Sequence, residues 1–167
     1  GYNNPIIQLM AHLKAEHSIQ ADQVDEIILE MNWLETLYPS PAFPNQRRAE
    51  RRVGGTHYFA AYTCVHGDYP TTWDRSGSSR EPGADDPRVL ELMERVSVVG
   101  QKERRSYAPR ITVRMKSGDQ HQGELKGEEL KWGFDTVSRR IVELFDGLPL
   151  PKTQLEELVS TASRLED

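Results

Sequence analysis

The sequence predicts an α+β domain: a small, mostly antiparallel sheet covered by helices. Three observations carry this. Apolar residues recur at helical spacing in five separate stretches. Between them lie short segments with strand-like alternation, the clearest being a hairpin. The order is helix, strand, helix, helix, three strands, two helices, which is not the regular alternation of a parallel α/β sheet. A chain of 167 residues suits one domain with its own core. We therefore take 1–167 as a single domain.

The first helix opens at Asn4-Pro5, with Asn as cap and Pro in the first turn, and carries Ile6, Leu9, Met10 and Leu13 on one face before ending at His17-Ser18. Asp22 to Glu26 reads as a turn, and Ile27, Ile28, Leu29 and Met31 as a strand. Trp33 to Leu37 is a single helical turn. Three prolines then make 38–45 irregular. Gly54-Gly55-Thr56 starts a helix that runs to Val65 and stops at His66-Gly67. The segment 68–86, rich in Gly, Ser, Pro and Asp, is a long loop. Asp86-Pro87 caps the next helix, whose apolar residues are Val89, Leu90, Leu92, Met93 and Val96. VSVVG is a short strand. Ile111, Val113 and Met115 alternate with polar residues, Ser117-Gly118-Asp119 turns, and the polar return strand from His121 to Lys126 is an edge. Phe134, Val137, Ile141, Leu144 and Phe145 line the penultimate helix, and Leu155, Leu158, Val159 and Leu165 the last.

Composition narrows the function classes. With 21 basic and 26 acidic residues the net charge is −5, which argues against nucleic-acid binding. The mean hydropathy is −0.67, and no apolar run reaches the length of a membrane span. The first residues have no basic segment of the kind that precedes a signal sequence. The start without Met suggests processing or a domain boundary. One cysteine excludes an internal disulfide framework, and a reducing cytoplasm is the expected setting.

No phosphate-binding glycine loop, nucleophile elbow, HExxH or CxxC is present. His57, Cys64 and His66 match no common metal spacing. The run QRRAERR holds four arginines, Arg47, Arg48, Arg51 and Arg52, beside one acid, Glu50. Guanidinium groups grip carboxylates, so Arg47 and Arg48 are candidate substrate-binding residues; a solvated loop edge is the plainer reading. In the helix over 55–66, Tyr58 and Tyr62 share a face, while Ala60, Ala61, Cys64 and Val65 supply packing surface. Spacing alone leaves Tyr58 and His57 open between structural and catalytic roles.

Five segments carry a resemblance. They are NPIIQLMAHLKAEHSIQADQVDEIIL, GGTHYFAAYTCVHGDYP, DPRVLELMERVSVV, PRITVRMKSGDQHQGEL and the closing FDTVSRRIVELFDGLPLPKTQLEELVSTASRLED. In order and spacing they resemble the C-terminal domain of the MmgE/PrpD family, which includes 2-methylcitrate dehydratase, cis-aconitate decarboxylase and iminodisuccinate epimerase. The likeness spans nearly the whole chain. It departs at Gly118-Asp119, where the family has the acid before the glycine, at Gly133 in place of a lysine, and at GGTHY in place of an aromatic and a serine.

The resemblance implies a lyase or isomerase that adds or removes water, CO2 or a proton beside a carboxylate of a small di- or tricarboxylate, with no metal and no organic cofactor. It implies propionate metabolism, a cytoplasmic homodimer, and no nucleic-acid or membrane partner. This chain would be a lid over a cleft whose helical partner domain, with further acid–base groups, lies outside these residues, so that alone it holds an incomplete active site. The catalytic tyrosine of the lid falls by position on Tyr58, with His57 beside it. The lid reading also predicts an exposed apolar face built from the first and last helices. A stand-alone binding or assembly module of the same fold is the alternative.

Overall fold

The computed structural model describes residues 3–37, 53–68, 84–129, 133–143 and 151–164. Among them are four strands in one mixed sheet and six α-helices. The strands are β1 (Val24–Asn32), β2 (Val96–Gln101), β3 (Arg110–Met115) and β4 (Gln120–Glu124), in the order β2-β1-β3-β4. β1 pairs parallel with β2 and antiparallel with β3, and β3 antiparallel with β4. Two pairings of three are thus antiparallel. The polar return strand β4 is an edge, as its composition predicts.

The helices are α1 (Asn4–His17), α2 (Trp33–Leu37), α3 (Thr56–His66), α4 (Pro87–Met93), α5 (Phe134–Glu143) and α6 (Lys152–Ala162). α1 has Asn3 as its cap residue, one position before the expected Asn4, and ends in a left-handed Ser18. β1 is longer than its apolar run. The segment taken for a turn divides into a 3-10 turn at Ala21–Gln23 and the first strand residues. The register shifts between Val24 and Glu26, so Val24 and Ile27 both face the core although three residues apart. That shift breaks the period of two and hides the strand's start from a pattern reading.

One face of the sheet holds the core. Val24, Ile27, Leu29 and Met31 of β1, Val96 of β2, and Ile111 and Val113 of β3 are buried against Ile6, Leu9, Met10 and Leu13 of α1, with α3 and α4 beside them. Each such side chain contributes about 1.5–3 kcal/mol by leaving water. The opposite face carries cross-strand polar pairs. Arg114 bonds Glu26 at 2.7 Å, Gln122 bonds Thr112 at 2.8 Å, and Arg110 reaches both Glu30 (3.5 Å) and Glu124 (3.0 Å). These groups lie opposite one another in register, so alternation alone places them together.

The apolar face expected from the first and last helices divides. α1's apolar residues are interior, because α1 lies on β3, β4 and α3. On the last two helices Leu155 is buried while Phe134, Val137 and Leu158 are exposed. Ile141's side chain, Leu144, Phe145 and Leu165 lie outside the described residues.

Candidate functional site

α3 carries both expected catalytic residues. Gly55, extended, precedes its first turn, and Gly67 closes it at φ 85°, a left-handed conformation that favours glycine; its N–H donates to the Thr63 carbonyl at 2.7 Å. The start of α3 is pinned to the start of α1, since the Thr56 hydroxyl donates to Asn3 Oδ1 at 3.2 Å with both residues buried. The far end is pinned too: Lys14 Nζ donates to the Cys64 carbonyl at 2.7 Å. α1 and α3 therefore run side by side in the same direction. Ala60, Ala61 and Cys64 are fully buried, and their small size lets α3 lie close to α1, α4 and β2.

This packing places Tyr58 at 0 % exposure and His57 at 1 %, among the largest wholly buried side chains. Neighbours on a helix point about 100° apart, so burial of both means that α3 is enclosed on more than one side. Val65, expected to pack, is only partly buried, as is Phe59. Tyr58 packs edge-on to Phe59, with ring centres 5.4 Å apart, and lies 5.9 Å from Tyr62. Tyr62 lies 4.4 Å from His66. Tyr58, Tyr62 and His66 thus form a column at four-residue spacing from the core toward the surface.

The column ends on a carboxylate. His66 Nε2 is 3.1 Å from Asp86 Oδ2. Asp86 also caps α4, accepting the Arg88 N–H at 3.0 Å, and pairs with the Arg88 guanidinium at 2.7 Å. The hydrogen bond from the Arg88 side chain does most to hold the Asp86 carboxyl down, to about 2. Burial first, then Asp68 and Asp86, push the Tyr62 phenol upward. Burial pushes the Cys64 thiol up to about 11, against a smaller opposing effect of Lys14. That thiol is a packing group, not a nucleophile.

Arg47 and Arg48 lie outside the described residues. Among the described residues no three His, Cys, Asp or Glu side chains come together where a metal ion could be held, and His57, Cys64 and His66 form no such group. Sequence reasoning missed the His66–Asp86 pair. Tyr58 and Tyr62 were legible as one helical face and Asp86 as a cap, but His66 was read as the helix stop, and it lies twenty residues from Asp86 with nothing local to join them. No helix of the described residues is long and apolar enough to cross a membrane. No family model matches the chain, and no curated protein matches it.

Proposed function

We propose that this chain is the C-terminal lid domain of an MmgE/PrpD-type enzyme, a metal- and cofactor-independent dehydratase, decarboxylase or epimerase acting on small di- or tricarboxylates. The observation that carries the reading is the agreement of five sequence segments, in order and spacing, with that domain, joined to an α+β fold that carries the matching tyrosine, Tyr58, on α3. A phenol can donate a hydrogen bond to a substrate carboxylate and pass a proton to or from the adjacent centre. A helical partner domain would supply the remaining acid–base groups. Arg47 and Arg48 would bind substrate carboxylates. The enzyme would be a cytoplasmic homodimer.

The burial of Tyr58 and His57 favours a second reading, a non-catalytic binding or assembly module. A general acid must come within hydrogen-bond reach of its substrate. Under the first reading, the packing around the start of α3 must open to admit the substrate. Under the second it never does.

The test is turnover by the complete product of the reading frame that encodes these residues, with 2-methylcitrate, cis-aconitate and iminodisuccinate offered separately and a chelator present. Conversion of one of them supports the enzyme reading. Absence of conversion of all three, with the protein folded and dimeric, overturns it in favour of the module.

A further inference from the structure

At the other end of the α1–α3 pair, remote from Thr56 and Asn3, a recess of about 330 Å³ opens between the end of α1, the 3-10 turn, α4 and the β3–β4 turn. We propose that it binds a small multivalent oxyanion. The inference does not rest on the enzymatic reading.

Four cationic side chains line the recess, Lys14, Arg88, Arg95 and Lys116, against two acidic ones, Asp22 and Glu91. Arg88 is paired with Asp86 and Arg95 with Glu91, so the positive character of the recess rests on the two lysines, in a chain of net charge −5. The acids offset little of it where it matters. Glu91 is engaged by Arg95, and the Asp22 carboxylate accepts from the Gln23 amide at 3.0 Å. The two lysines have no carboxylate partner among the described residues. Lys14 Nζ donates to the Ile19 and Cys64 carbonyls at 3.0 and 2.7 Å, and Lys116 Nζ to the Asp22 carbonyl at 2.7 Å.

A carbonyl neutralises only part of an ammonium charge and leaves one or two of its three N–H groups over. It also fixes the head group, so an incoming anion does not have to order it. Arg95 is fixed likewise, by the Val24 carbonyl at 2.9 Å. Two lysines held in this way, with guanidinium groups at the rim, suit an anion carrying two or more charges. The volume suits a small one. A larger cleft of about 540 Å³ on the open face of the sheet is a weaker candidate, because three carboxylates, Glu30, Glu103 and Glu124, line it.

Titration of the isotope-labelled chain with pyrophosphate and, separately, with citrate, at ionic strength held constant with sodium chloride, tests this by amide chemical shifts. Saturable shifts at Ala21, Val65 and Leu92 are expected. The double variant Lys116→Gln, Arg88→Gln, which also breaks the exposed Arg88–Asp86 pair, should weaken binding by about tenfold. A response to pyrophosphate alone assigns a phosphate ligand, and one to citrate alone a polycarboxylate. Shifts no larger than sodium chloride produces, or binding unchanged in the double variant, overturn the proposal. Tyr58→Phe should leave these shifts intact, which separates this recess from the start of α3.

Discussion

At the scale of single residues, Asp86 joins two elements through one carboxylate. It caps α4, pairs with Arg88 and meets His66 of α3. Its folded pKa, about 2, lies below the ordinary value of 3.8. A depressed carboxyl stabilises the fold above its unfolded pKa, and that contribution disappears as pH falls through the folded value. The loss therefore falls between about pH 4 and pH 2. Arg88 is largely exposed, so solvent screens the pair and its contribution is small. Asp86→Ala should cost about 1 kcal/mol in urea unfolding at pH 7. Asp86→Asn should keep most of the cap and flatten the acid dependence. Cys64 gives a second residue-scale prediction. Its thiol is fully buried and raised to about 11, so alkylation by iodoacetamide at pH 8 should follow global unfolding. Rapid labelling of the native protein would contradict this placement.

At the scale of elements, the approach of α1 to β4 depends on a missing side chain. A Cβ on Gly123 would stand 3.1 Å from Leu9 Cδ1 and 3.2 Å from Leu13 Cδ2. The glycine lets two leucines of α1 lie over the edge strand, shielding β4's inward face. Both contacts are to the ends of flexible side chains, so Gly123→Ala should cost only about 1 kcal/mol in thermal or urea unfolding, whereas Gly123→Val should cost about 2–3 kcal/mol. Equal stability of all three would mean that α1 does not lie this close. Most elements were legible in the sequence because their signals are local. Pro5 in the first turn of α1, Asp86-Pro87 and Gly67 mark helix ends, and Ile111 to Met115 marks a strand by alternation. The start of β1 was not legible, because the register shift near Asp25 interrupts the alternation. Nor was its parallel pairing with β2, which brings together residues about seventy positions apart, such as Ile27 and Val96.

At the scale of the whole molecule, the sheet divides the described structure into a helix-covered core and an open face of paired charges. The site was legible in part. α3 could be read as a helix bearing Tyr58 and Tyr62 on one side, but its enclosure could not. Burial follows from the small residues Ala60, Ala61 and Cys64 meeting particular neighbours on α1 and α4, and that depends on tertiary packing. Two roles for Tyr58 remain in competition. A purely structural phenol would make Tyr58→Phe a matter of stability alone. A catalytic phenol would make it a matter of rate. The decisive measurement is kcat of the complete enzyme on its best polycarboxylate substrate, wild type against Tyr58→Phe, with Tm recorded for both. The proposal predicts a fall in kcat of about a hundredfold or more with Tm nearly unchanged. An unchanged kcat, with or without a lower Tm, would leave Tyr58 a core residue and contradict the assignment.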